Sequence, residues 1–315
     1  MILGAACLSH TPYMDRARAG REVEQRFFGE VSRLAAEIAD LSPDVVIVLH
    51  PDHYNGFFYD LMPAFCIGIH ARSIGDYGTV EGELPVASEM AQELAASCLK
   101  DGIDVAYAHR MEVDHGFAQA VELIFSGAKL PNVIPIFVNC AAAPRPTFAR
   151  ARVLGEAIGR WALTRAERVY LIASGGLSHD PPIASLSKAS GAKREALIEG
   201  RHPGYAARLA RQSNVFSAGQ AYVAGTSDII PINVAWDHSL LESICAGQLD
   251  VLDGYAPEDL TRIAGNGAHE VRTWVAALSA LRAVGNYSAE TRFYAPIHEW
   301  ITGTAVLKAT VEPKH

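Results

Sequence analysis

Asp44-Val45-Val46-Ile47-Val48-Leu49-His50-Pro51-Asp52-His53 is the stretch on which the reading of this chain turns. Its apolar run is short and almost wholly β-branched, which suits a strand buried on both faces, and Pro51 and Asp52 end it in a turn that carries an imidazole. The same pattern recurs at Ile2 to Leu8, Ala64 to Ile69, Ile103 to Ala108, Val133 to Val138 and Arg168 to Ala173. Between these runs, Glu22 to Leu41, Pro85 to Lys100 and Pro146 to Leu163 space apolar residues by three and four, as in the stripe Leu34, Ile38, Leu41. Such alternation predicts an α/β layered fold with a central β-sheet flanked by helices. After about Ser185 the pattern turns helical, through Tyr205 to Gln212, Asp237 to Ala246, Pro257 to Ala264 and Glu270 to Val284, which predicts a helical C-terminal portion. No linker-like segment or internal repeat divides the chain, so residues 1–315 read as one domain.

Composition narrows the function classes. Half of the 315 residues are hydrophobic and 20% are charged, which excludes a disordered chain. No apolar run is long enough to cross a bilayer. Met1-Ile2-Leu3-Gly4 enters an apolar segment without a basic stretch, so no secretory signal is expected. The net charge is −8 with no basic block, which argues against a nucleic-acid partner. An anionic ligand would therefore need a local cation. Cys7, Cys66, Cys98, Cys140 and Cys245 are odd in number and widely spaced, as expected of free thiols in a cytoplasmic protein.

The twelve histidines are informative by position. His10 lies just beyond the first strand, and His50 ends the next, with His53 in the loop after it. His115 is expected in the loop Met111-Glu112-Val113-Asp114-His115-Gly116, and His179 closes Ser174-Gly175-Gly176-Leu177-Ser178-His179 after another strand. Loops leaving the carboxyl ends of strands in such sheets gather on one edge, where ligands bind. His10, His53, His115 and His179 are predicted to converge there, although a single histidine is ordinarily a cap or a packing residue. His50 reads as structural; His70, His109, His202, His298 and His315 read as solvated or packing residues. Leu8-Ser9-His10-Thr11-Pro12 and Leu177-Ser178-His179-Asp180-Pro181 share a shape that sets a rigid turn after the imidazole.

Other chemistries fit less well. No Gly-Lys-Ser/Thr follows Gly175-Gly176, Ser178 lacks a Gly-x-Ser-x-Gly elbow, and no Cys-x-x-Cys is present. A histidine-rich site without thiolates suits iron(II), manganese or catalytic zinc. An iron(II) oxygenase site needs one carboxylate besides two histidines. Asp52, Asp114 and Asp180 each neighbour a histidine, in turns where aspartate commonly caps; Glu270 opens a C-terminal helix, where its ordinary role would be to sit at the positive end. The residues alone leave these four open. They also leave open a zinc-dependent hydrolase and a non-catalytic binding protein.

Pro51-Asp52-His53-Tyr54-Asn55-Gly56-Phe57-Phe58-Tyr59-Asp60, Val113-Asp114-His115-Gly116-Phe117-Ala118-Gln119 and Ser174-Gly175-Gly176-Leu177-Ser178-His179 resemble the class III (LigB-type) extradiol ring-cleavage dioxygenases. The likeness takes in Gly82-Glu83-Leu84-Pro85, Leu154 to Arg160, His269 to Trp274 and Phe293 to Trp300, and is thinnest over Ala184 to Ile230. It implies a LigB-like domain binding one Fe(2+) through His10, His53 and Glu270, with His115 as proton donor and His179 as proton acceptor. It further implies a substituted catechol and O2 as substrates, and a homo-oligomer. Tyr54 to Tyr59 would wall the ring pocket or, for Phe57 and Phe58, serve the core. An arginine or a histidine outside the five would meet any anionic group on the substrate.

Overall fold

A computed structural model describes residues 1–14 and 16–312; His315 lies outside the described residues. The strands are β1 (Ile2–Leu8), β2 (Val45–His50), β3 (Phe65–Gly68), β4 (Ala71–Ile74), β5 (Glu81–Glu83), β6 (Ala106–Ala108), β7 (Met111–Val113), β8 (Asn132–Val138), β9 (Val169–Ser174), β10 (Tyr287–Ile297) and β11 (Thr302–Val311). The helices are α1 (Arg21–Leu41), α2 (Ser88–Lys100), α3 (His115–Phe125), α4 (Phe148–Leu163), α5 (Gly191–Glu199), α6 (Tyr205–Val223), α7 (Val234–Cys245), α8 (Pro257–Ala264) and α9 (Val271–Val284).

The main sheet has the order β10-β11-β1-β9-β2-β8-β3-β6, and its four central strands β1, β9, β2 and β8 run parallel. Their residues are buried almost without exception, which is why they read as continuous apolar runs and not as alternating ones. One apolar layer joins the strands to α2, α4, α7 and α9; a second joins the opposite face to α1 and α3. Parallel strands in one sheet send all their carboxyl ends to one edge, and the loops bearing His10, His53 and His179 leave from it.

Three features depart from the sequence expectation. Helices occupy the chain as far as Val284, but β10 and β11 follow as a long antiparallel hairpin, and β11 pairs with β1. The β10 side chains are mostly half-buried or exposed, with Phe293 and Ile297 buried, so no continuous apolar run marked it. A small second sheet, β5-β4-β7, is built from strands of three or four residues. Ile103 to Ala108 shortens to β6 at Ala106–Ala108.

Helix α9 is buried on every side from Val271 to Leu281 and lies against α4. Gly155 and Gly159 make that approach possible. A Cβ at either would run into the α9 backbone at the carbonyls of Ala276 and Ala280. Gly155→Leu should therefore destabilise the protein by about 3 kcal/mol or more, because the helices must separate to admit the side chain. Chemical denaturation measures it, and parental stability would show that the contact yields easily.

Candidate active site

Each of the four histidines is delivered by a different element and fixed through Nδ1. His10 follows β1, and its Nδ1 lies 3.0 Å from the hydroxyl of Ser174 at the end of β9. His53 follows β2; its Nδ1 lies 3.0 Å from Asp114 Oδ2, which also accepts the His53 backbone N–H at 2.8 Å and the Asn55 amide at 2.9 Å. His115 is the first residue of α3 and not a loop residue: Asp114 caps the helix by accepting the Gly116 N–H at 2.9 Å. The spacing of His115, Gln119 and Glu122, at i, i+4 and i+7, is the helical signal this segment offers, set in an otherwise apolar run. His115 Nδ1 meets Asp76 Oδ2 at 2.6 Å. His179 Nδ1 faces the Leu177 carbonyl at 3.1 Å.

The Nε2 atoms of His10, His53 and His179 gather around Glu270, the last residue of a short 3-10 turn that leads into α9. Glu270 Oε1 is 3.2 Å from His53 Nε2 and 3.8 Å from His179 Nε2, and Oε2 is 3.9 Å from His10 Nε2. The Gly176 N–H donates to Oε2 at 2.8 Å. The rings of His53 and His115 stack with centroids 4.4 Å apart, and His10 meets each edge-on at 5.5 and 5.6 Å. Thus all five residues singled out in the sequence meet in one place, and Glu270 is the carboxylate among them. Of the other acids considered, Asp52 accepts the backbone N–H groups of Asn55, Gly56 and Phe57, and Asp180 accepts from Asn266 and Ile230; both are turn anchors. Asp114 orients His53.

The electrostatics follow from burial. Desolvation opposes ionisation of Glu270, but His10, His179 and His53 around it overcome that penalty and hold its carboxyl well below the usual range. Desolvation pushes His10 down to about 3 against the pull of Glu270. His53 is also buried, yet Asp114 and Glu270 raise it well above its ordinary value. A carboxylate facing several imidazole Nε2 atoms, each ring fixed through Nδ1, is the donor set of a divalent metal site with an oriented outer shell. His10, His53 and His115 also bring ligand atoms within 4.8 Å of one another. Geometry alone thus gathers the five without dividing them into ligands and proton carriers.

His179 is seated more tightly than its sequence suggests. Its N–H donates to the Ala264 carbonyl and its carbonyl accepts from Gly267, both at 2.9 Å, and a Cβ at Gly267 would occupy the imidazole. Ser178 donates its hydroxyl and its N–H to buried Asp237, each at 2.8 Å, and its hydroxyl accepts from Asn233, so it is not a nucleophile. His50 is structural, with Nδ1 2.8 Å from the Pro51 carbonyl and the ring against Phe117. Asp76 was missed by sequence reasoning; it sits between Gly75 and Tyr77, both at positive φ, and that glycine-flanked turn is the only signal it offers.

A cavity of about 430 Å³ opens over the cluster, lined by all five residues together with Tyr54, Tyr77, Pro181, Ile183, Leu197 and Val215. Phe57 and Phe58 face away: Phe57 stacks on Phe137 at 3.8 Å, and Phe58 lies under Arg201. Of the aromatic run, only Tyr54 lines the cavity. The cations on its wall are Arg211 and Lys193.

Residues 4–305 match the family described as the catalytic LigB subunit of aromatic ring-opening dioxygenase. The chain is 47% identical over 314 residues to a 2,3-dihydroxyphenylpropionate/2,3-dihydroxicinnamic acid 1,2-dioxygenase of Paraburkholderia phymatum, with 98% of each chain covered. It is 43% identical to proteins of the same name from Rhodococcus sp (98% of each) and Escherichia coli K12 (97% of this chain, 98% of the relative). Its fold is similar to the crystal structure of an uncharacterized E. coli K12 protein, with TM-score 0.50 and 13% identity over 98% of this chain and 99% of the other.

If Glu270 is a metal ligand, Glu270→Gln should lose stoichiometric divalent metal while keeping its size and the fold. Metal analysis after dialysis, alongside circular dichroism, reads both, and a variant that retained one equivalent would remove Glu270 from the ligand set.

Proposed function

The chain belongs to the LigB family and is an extradiol ring-cleaving dioxygenase of a metal-dependent class; on that premise we propose that it opens 3-(2,3-dihydroxyphenyl)propionate, and 2,3-dihydroxycinnamate, with O2. The proposed product of the propionate is 2-hydroxy-6-oxonona-2,4-dienedioate, from cleavage between the hydroxylated carbon and the carbon bearing the side chain. The observation that carries this reading is the buried carboxylate among imidazoles at the base of a cavity walled largely by apolar side chains.

In this reading His10, His53 and Glu270 hold iron(II). Bound there, the metal supplies a Lewis-acidic template for both catechol oxygens and for dioxygen. His179 takes the proton that a catechol hydroxyl must lose on binding. Its Nε2 is the nitrogen available, because Nδ1 faces the Leu177 carbonyl. His115 supplies a proton to the oxygen atom that leaves the O–O bond. Asp76 keeps the proton of the resting His115 ring on Nδ1, so that a second proton is carried and given at Nε2. Tyr77, edge-on to His115 at 4.7 Å, and the Pro181 to Ile183 wall shield this face from water. Residues 1–315 act as one domain, because strands from both ends of the chain, β1 and β11, pair beside the site.

The test of the substrate and of the position of cleavage is anaerobic loading with iron(II), addition of 3-(2,3-dihydroxyphenyl)propionate and ¹⁸O₂, and mass spectrometry of the product. The dienedioate carrying ¹⁸O is expected; a product cut between the two hydroxyls would overturn the reading. For the proton carriers, His115→Ala and His179→Ala should keep iron and lose roughly 10²- to 10⁴-fold in kcat. Asp76→Asn should lose about 10- to 100-fold with KM near that of the parent. Loss of iron from either histidine variant would make that residue a ligand instead.

A further inference from the structure

The segment over which the family resemblance is thinnest, Ala184 to Ile230, forms part of the cavity wall: Lys193 on α5 and Arg211 on α6 both line it. Among the described residues that line the cavity, the one carboxylate is Glu270, which the histidines surround. The wall contributed by α5 and α6 therefore carries positive charge without an acid in the cavity to balance it, in a chain whose net charge is −8.

The two cations differ in what they have left to give. Arg211 donates Nη1 to the Tyr54 carbonyl at 2.9 Å and Nη2 to the His53 carbonyl. Its acceptors are neutral, so its charge persists, but its fork is occupied in holding the loop that carries His53. Lys193 has no hydrogen-bond or ion-pair partner among the described residues, leaving three ammonium donors at the cavity wall. We propose that Lys193 is the specificity-determining cation that receives the side-chain carboxylate of the catechol, with Arg211 adding field from its fixed position. This rests on the functional reading above.

The chemistry accounts for why a cation belongs on this wall. The aromatic diol is directed to the histidine cluster, and a carboxylate on a short side chain must leave bulk water to enter the same cavity. An ammonium on a flexible stem can follow that carboxylate over a range of side-chain lengths, whereas a bidentate arginine would fix one geometry. Because Lys193 is exposed, its contribution is that of a solvent-accessible ion pair, modest and weakened by salt.

The experiment compares kcat/KM for 3-(2,3-dihydroxyphenyl)propionate with that for uncharged 3-propylcatechol, using the full iron(II)-loaded chain as parent, Lys193→Met and Lys193→Glu. The preference for the carboxylated substrate should fall about fivefold in Lys193→Met, the upper range for an exposed ion pair. It should fall further in Lys193→Glu, chiefly through KM. Preference in the parent should also decline as salt is raised, and Lys193→Glu should gain relative efficiency toward a catechol with an amine-terminated side chain. A preference within twofold of the parent in both variants overturns the subsite while leaving the reaction in place. A parent that opens neither catechol overturns the functional reading, and the subsite with it. Circular dichroism of the variants establishes that each is folded.

Discussion

A carboxylate held as an anion in the interior is the constraint on which the rest of this structure depends. Glu270 is nearly inaccessible to water, and an isolated buried charge would cost several kcal/mol. It is tolerated because His10, His53 and His179 approach it and Gly176 donates an N–H. Those partners come from sequence positions up to 260 residues away, so the sheet has to bring β1, β2 and β9 side by side with their carboxyl ends aligned. The fold can be read as the means of doing this. The buried helix α9 holds the carboxylate from below and is fixed against α4, where Gly155 and Gly159 let the backbones meet.

Around that centre, orientation is supplied in pairs. Ser9 and Ser178 each precede a histidine of the site, and both hydroxyls are spent on structure: Ser9 accepts from Ala305 on β11, and Ser178 donates to Asp237. Tyr294 on β10 also donates to Asp237, at 2.8 Å. The C-terminal hairpin thus closes the edge of the sheet beside β1 and braces the turns that carry His10 and His179. Burial raises Asp237 from its ordinary value although three donors favour its charged form, which is the signature of a carboxylate retained for its hydrogen bonds.

What the sequence made legible follows from where burial is two-sided. Val45 to Leu49 and Val169 to Ala173 are central parallel strands, so their composition identified them within a residue. The turns after them contain proline and glycine, and they placed His53 and His179 correctly at the strand-end edge. The hairpin β10–β11 escaped because β10 mixes half-buried and exposed positions, and α3 escaped because its polar stripe is only His115, Gln119 and Glu122 in an otherwise apolar run. Glu270 could not be separated from Asp52, Asp114 and Asp180 by type or neighbourhood; only the meeting of α9 with β1, β2 and β9 distinguishes it. Asp76 was illegible for the same reason: 39 residues separate it from His115, and the small sheet that closes the distance is made of very short strands.

The contrast between the two halves of the cavity bears on how the chemistry and the choice of substrate are kept apart. The histidines and Glu270 rise from buried strand ends and a buried helix, where a shift of an ångström would disturb close packing. The opposite wall comes from α5 and α6, which are largely exposed; Leu197 and Gly219 are their only buried residues. Gly219 packs against the Tyr13 ring, and Tyr13 donates to the Val215 carbonyl. Substitutions on this layer exchange solvent-facing side chains, so this wall of the cavity can change while the histidine cluster stays in register. Arg211 limits that independence. Its bonds to the carbonyls of His53 and Tyr54 tie the cap to the loop of a candidate ligand. A change in the seating of α6 therefore reaches the His53 loop through Arg211, whereas among the described residues none on α5 makes such a bond to His53; under the proposed function, selectivity is separable from catalysis on α5 and coupled to it through α6.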